Sequence, residues 1–363
     1  MKYPTFSICI PNYNYGHFIG KTIESVLNQT YPNFEIIIAD NASSDDSVKV
    51  IESFNDKRIH LIKNNYNIGF APNLQKATMF AKNDFINLLS SDDLMKPKAL
   101  ETYAKIILEN VRTHKDMVLI SDAELIDSEN KVNGHIHRSK LTNEYQHFTG
   151  AEDQYFIKNY DPSGAQVEIF SGLEILKYNL SLLRNFAPFL TIVYSRNLWQ
   201  KIEGYNAVRT IGPDKFFNYK LLEQNPDVFY VPLSLYQYRI HVSTNQKSQK
   251  TNLKQQLDDY LYTLEYSDQF LSSLGLSRSK LTNSFLNRVC LKNGLTELVY
   301  GSYEQAFRML AFALATYPRE SIRLVRFYQL LGLLITGPFS KILARLFYII
   351  YHTKDDLNLG LNK

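Results

Sequence analysis

Cysteine is almost missing from this 363-residue chain: Cys9 and Cys290 are the only two. Far apart in sequence, they supply neither a disulfide framework nor a thiolate zinc site, so a reducing compartment fits best. No basic n-region with a long apolar h-region precedes the first strand-like residues, and no signal peptide is expected. No uninterrupted apolar run reaches the roughly 18 residues of a membrane-spanning helix. Charge of one sign is not in excess either. The net charge of +4 is too weak to argue for nucleic acid, yet it suits an anionic ligand or a membrane surface. What remains, 45% hydrophobic and 21% charged residues, describes a folded chain long enough for more than one unit.

Glycine-rich phosphate cradles are missing as well. After the apolar stretch "FSICI" (6–10) comes "PNYNYGH", which carries neither GxGxxG nor GxxxxGK[ST]. A dinucleotide dehydrogenase or a P-loop enzyme is thereby disfavoured. The first hundred residues do alternate regularly. Strands are predicted at 6–10, 34–40, 58–63 and in "FINLLSSDD", with helices at 18–29, 45–54 and 71–82 between them. Such alternation implies βαβ units around a mostly parallel sheet, whose ligands bind beyond the carboxyl ends of the strands. The polar clusters 11–14, 40–44 and 90–93 all follow strands directly and should converge on one edge. Further strands are predicted at 116–127, 187–196 and 228–241. Beyond about residue 250 the pattern turns helical, with 243–250 as the linker between a domain of residues 1–245 and a helical region of residues 251–363.

"INLLSSDDLM" (86–95) places two adjacent carboxylates, Asp92 and Asp93, at the end of a buried strand. Like charges so close resist burial, but they become favourable around a divalent cation, which prefers hard oxygen ligands. The bland alternative is a helix N-terminus, with Ser91 or Asp92 as its cap. A diphosphate bound without a glycine-rich loop needs its charge neutralised some other way, and such a cation would serve.

The ordered motifs at 6–51, "NNYNIGFAPNLQKA" and "INLLSSDDLM" resemble the family 2 glycosyltransferases of the GT-A fold, a Rossmann-like α/β fold. A second block, "FAPFLTIVYSRNLWQKIEGYN", "IGPDKFFNYKLLEQ" and "VPLSLYQYRIHVST", is similar too. The resemblance implies an inverting transferase that uses a nucleotide-diphosphate sugar, typically a UDP-sugar, with Mn²⁺ or Mg²⁺ as cofactor. It implies that Pro11, Tyr13 and Asn14 line the nucleotide pocket and that Asp40 meets the base, with Asn41 and Ser43 nearby. The pair Asp92–Asp93 stands at the family's DxD-type motif, which serves both metal and ribose. Where family members often carry Asp, this chain has Ser90, so which of Asp92 and Asp93 reaches the metal stays open.

By the same resemblance Asp214 matches the catalytic base, and His241 matches a histidine that approaches the metal or diphosphate. Each has a plainer reading: an acidic cap at the start of "KFFNYKLL" for Asp214, and a surface histidine after an edge strand for His241. The segment 320–347 sets Arg323, Arg326, Lys341 and Arg345 among long apolar runs broken at Gly337 and Pro338. It reads as a pair of interfacial membrane helices, or else as helices packed on the catalytic domain or on a second subunit. The expected partners are a nucleotide-sugar donor, a glycan or lipid-linked acceptor, the membrane surface and a possible second copy, but no nucleic acid. The expected setting is cytoplasmic, peripheral on the inner face of the membrane, in cell-surface polysaccharide assembly. A sugar nucleotidyltransferase and a GT-A-like binder without catalysis are the competing readings.

Overall fold

A computed structural model describes residues 3–110, 116–137, 145–146, 155–157, 167–183, 185–205, 213–240 and 253–344. The chain forms two compact units, residues 1–176 with 185–245 and residues 177–184 with 246–363.

The first unit opens with β1 (Phe6–Asn12), α1 (Gly16–Leu27), β2 (Phe34–Asp40), α2 (Ser47–Glu52), β3 (Ile59–Lys63), α3 (Phe70–Met79) and β4 (Phe85–Leu88). These strands lie parallel in the order β3-β2-β1-β4, with Phe6 opposite both Phe34 and Phe85. Residues on both faces of β1 are buried, Phe6, Ile8 and Ile10 on one and Ser7 and Cys9 on the other. That explains its continuous apolar run, since a strand inside a parallel sheet is covered on both sides. Burial also pushes the Cys9 thiol well up, so it behaves as a small hydrophobe rather than a nucleophile.

The sheet then changes character. β5 (Leu94–Met95), α4 (Ala99–Asn110), β6 (Met117–Ile126), β7 (Val132–His137), β8 (Tyr145–Gln146) and β9 (Tyr155–Ile157) follow. Next come β10 (Glu168–Ser171), α5 (Gly172–Leu182), β11 (Ile192–Ser195), α6 (Arg196–Lys201), α7 (Pro213–Glu223) and β12 (Asp227–Arg239). β11 runs antiparallel between β4 and β6, and β12 lies parallel to β6 on its other edge. The sheet is therefore parallel in one half and mixed in the other. The strand predicted at 187–196 is shorter than expected. Its first part is a 3₁₀ turn, Phe189–Thr191, after Pro188, and Asn87 Nδ2 donates to the carbonyls of Leu190 and Ile192, both at 2.9 Å. The cap reading of Asp92 also fails. No helix starts there, because Leu94–Met95 pairs with β12 and the helix begins only at Ala99.

In the second unit, helices Asp268–Ser273, Arg278–Ser284 and Tyr303–Thr316 each start on a serine whose hydroxyl accepts a first-turn N–H. A π-helical stretch, Phe285–Lys292, carries Phe285, Leu286 and Leu291 into the core. Helix Val325–Ile335 buries Phe327, Leu330 and Leu334. Its outer side is another matter. Val325 is 71% and Ile335 76% exposed, and Tyr328 shares their side of the helix; Phe339 and Ile342, past the break at Gly337, are exposed too. Arg326 is not wholly part of a basic outer face, since its guanidinium donates to the Asn287 carbonyl. Arg345 lies outside the described residues. Among the described residues, no helix is long and apolar enough to cross a membrane.

Candidate active site

The loops after β1, β2 and β4 do meet at one edge of the sheet. The Asn41 N–H donates to the Asn12 carbonyl, and Ser91 Oγ donates to the Pro11 carbonyl at 2.7 Å. Asp40 is buried. Its Oδ1 accepts from Asn12 Nδ2 (2.8 Å) and Ser43 Oγ (2.6 Å), and its Oδ2 accepts the Ser43 N–H (2.9 Å). A carboxylate oxygen takes two hydrogen bonds, so an acceptor position remains on Oδ2. Asn14 sits at φ +58 and ties the first loop to the second, its N–H on Ser43 Oγ and its Oδ1 on the Ser44 N–H. Pro11, Asn14 and Ser43 thus build the edge, while the Tyr13 ring stands out from it, 45% exposed.

Asn41, next to Asp40, turns its side chain toward the 64–69 loop. Its Oδ1 accepts from Asn64 Nδ2 and the Ile68 N–H, and its Nδ2 donates to Asn67 Oδ1 and the Gly69 carbonyl. All four of its hydrogen-bonding positions are taken, so its amide shapes the 64–69 loop. Gly69, at φ +94, closes that loop with a left-handed turn into α3.

The two adjacent carboxylates have different surroundings. Asp93 is buried, with Oδ1 accepting the Arg239 backbone N–H at 2.7 Å. Burial, then the neighbouring Asp92 charge, raise its carboxyl well above the usual range against the pull of that N–H and of Ser90. Asp92 is half-buried and lies at the open edge. Arg239 locks the loop from behind. Its Nε donates to the Asp92 carbonyl (2.7 Å), its other nitrogens reach the Asp127 carbonyl and Asn130 Oδ1, and its guanidinium lies 4.7 Å from the Phe18 ring centre. Among the described residues, no group of three or more His, Cys, Asp and Glu side chains gathers for a metal. Asp92 and Asp93 nonetheless offer hard oxygens side by side. Their charges add to burial in raising the phenols of Tyr15 and Tyr238. That donor set would suit an oxygen-preferring divalent cation. His241 lies outside the described residues.

Asp214 occupies the first turn of α7, one residue past Pro213. Its Oδ2 accepts from Asn185 Nδ2 at 2.9 Å, and burial raises its carboxyl despite backbone N–H donors and Lys215 nearby. The Asp214 charge, with those of Asp93 and Asp92, also acts on the Tyr238 phenol. The two acidic stations therefore share a neighbourhood. Tyr15, Tyr238, Arg239 and Asn185 were not singled out in the sequence. Arg239 alone left a trace, as a lone cation in the strand "SLYQYRI", where burial demands partners.

Residues 7–160 match the family described as glycosyl transferase family 2. The chain is 39% identical over 104 residues to the Escherichia coli UDP-Glc:alpha-D-GlcNAc-diphosphoundecaprenol beta-1,3-glucosyltransferase WfgD, covering 29% of this chain and 41% of that one. It is 47% identical over 87 residues to the E. coli WfaP protein of the same description, covering 24% and 35%. The chain thus spans about two-fifths of the length of these curated relatives. The structure of S. aureus TarS 1–349 in complex with UDP-GlcNAc superimposes with a TM-score of 0.59 at 15% identity, over 94% of this chain and 89% of that chain. At that identity the likeness establishes the GT-A fold, and the fold alone.

Proposed function

Residues 7–160 match glycosyl transferase family 2, and from that premise we propose an inverting, metal-dependent glycosyltransferase that moves a sugar from a UDP-sugar to a hydroxyl of a glycan or lipid-linked acceptor. The observation that carries this reading is that the charges of Asp92, Asp93 and Asp214 all act on one phenol, that of Tyr238. The exposed Tyr13 ring stacks on the base, and the remaining acceptor position of Asp40 takes a base N–H. Asp92, with Asp93 behind it, would hold the divalent cation, which when bound offsets the diphosphate charge. Asp214 takes the proton of the acceptor hydroxyl. The acceptor oxygen bonds to the anomeric carbon from the face opposite the diphosphate. The carbon–oxygen bond to the diphosphate breaks, its electron pair leaves with UDP, and the configuration inverts.

The names of the two E. coli relatives favour UDP-glucose and a lipid-diphosphate-linked acceptor as the first substrates to try. The exposed apolar side chains from Val325 to Ile342 support a peripheral place on the inner membrane face, where such acceptors lie. The test is a panel of nucleotide sugars with Mn²⁺ or Mg²⁺ and with soluble and lipid-linked acceptors, reading released nucleoside diphosphate. Release that needs metal, a UDP-sugar and an acceptor is expected. No release from any donor would leave a binding protein. Pyrophosphate made from a nucleoside triphosphate and a sugar phosphate would indicate a nucleotidyltransferase.

A further inference from the structure

Asp214 does not stand alone in its turn of helix. Asn185 Nδ2 donates to Asp214 Oδ2 at 2.9 Å, while Asn185 Oδ1 accepts from Asn218 Nδ2 at 2.7 Å and from the Phe186 N–H at 3.1 Å. Two donors on one end of the amide decide which way it points. Turned over, it would set an NH₂ group against two N–H donors and its oxygen against a carboxylate. Asn218 is 1% exposed and belongs to α7 itself, one helical turn beyond Asp214. The Asn185 amide therefore bridges two residues of α7, and the helix fixes the side chain that fixes its own first-turn carboxylate.

We propose that Asn185 is a positioning residue for the transfer reaction, holding Asp214 by one oxygen in a single orientation so that its carboxylate meets the acceptor hydroxyl. The inference rests on the reading of Asp214 as the base. An amide donor to a carboxylate favours its ionised form, which is the form a base needs. The other groups acting on Asp214 are the backbone N–H donors of residues 214 and 215 and the Lys215 charge, all opposing burial. The phenols of Tyr205 and Tyr238 lie within reach of its charge. None of them replaces the Asn185 bond to Oδ2.

Three variants of the full chain test the inference, Asn185→Ala, Asn218→Ala and Asp214→Asn. The titration midpoint of Asp214 is read by NMR of ¹³C-labelled aspartate carboxyls, with the signal assigned by its loss in D214N. Turnover of UDP-glucose with Mn²⁺ and a lipid-linked acceptor is followed across pH, or that of whichever donor the panel selects. Asn185→Ala should move the midpoint and the acidic limb of turnover to higher pH. It should lower kcat by about tenfold or more, with the donor KM unchanged. Asn218→Ala, which does not touch Asp214, should shift both in the same direction by less. A midpoint and acidic limb that stay at their wild-type positions in these variants overturn the inference. If thermal unfolding reports that Asn185→Ala does not fold, Asn218→Ala decides alone. Full turnover by D214N would instead remove Asp214 as the base, which is a different failure.

Discussion

At the carboxyl ends of β1 and β2, Asn12, Asn14, Asp40 and Ser43 direct hydrogen bonds at one another. Along the C-terminal helices, Val325, Tyr328, Ile335, Phe339 and Ile342 turn apolar surface to solvent. The first region is organised before any ligand arrives, so a nucleotide finds its contacts without ordering them. The second region reduces its exposed apolar area only against something else. A polar edge closed on its own hydrogen bonds and apolar side chains exposed among the described residues are opposite kinds of surface.

The contrast is broken most severely at the carboxylate that α7 brings to the polar side of the comparison. Asp214→Asn should lower transfer by about 10²–10⁴-fold, the range of a positioned general base, and leave UDP affinity measured by calorimetry unchanged. Next comes Arg239→Met, which strips donors from the Asp92 and Asp127 carbonyls and from Asn130. Chemical denaturation should read a loss of about 3 kcal/mol, since buried polar groups left unpaired cost about 1–3 kcal/mol each. A loss below about 1 kcal/mol would mean that water takes over those contacts.

Asn41→Ala and Tyr13→Ala sharpen the distinction between builders and binders within the edge. Asn41→Ala should cost about 2 kcal/mol of stability because it removes a partner from Asn64, Asn67, the Ile68 N–H and the Gly69 carbonyl. Tyr13→Ala should leave stability unchanged and weaken UDP binding by about 1–2 kcal/mol, the scale of base–aromatic stacking. The reverse outcome would make Asn41 a ligand contact. The smallest effect belongs to the C-terminal apolar surface. Val325→Glu with Ile335→Glu should reduce co-sedimentation with anionic liposomes, where each basic residue near the surface contributes only about 1 kcal/mol. Equal pelleting by wild type and variant would transfer that surface to a protein partner.

Much of the site was legible because its parts follow one another within short stretches. The 34–40 strand and the acidic residue ending it, the run before Ser90, and the Pro-Asp start of α7 are local patterns that the fold left in place. The length of β11 was not legible, because Asn87 takes carbonyls of residues 190 and 192 from more than a hundred positions away. Nor was the role of Asn41, which depends on partners at 64–69 brought up by the β3–α3 connection.

Sequence by itself determined the alternation of strands and helices, the missing phosphate cradle and the residue types at the carboxyl edge. It did so because apolar periodicity and chain-adjacent turns act over a few residues. Only the tertiary structure distinguished the surroundings of Asp92 and Asp93. The two are chemically identical and adjacent, but β12 brings the Arg239 N–H onto a buried Asp93, while Asp92 is only half-buried. The same holds for Asn185, an ordinary loop asparagine until Asn218 turns its amide toward Asp214. Which polar atom is buried against which is set by contacts between segments far apart in the chain, and no local pattern encodes them.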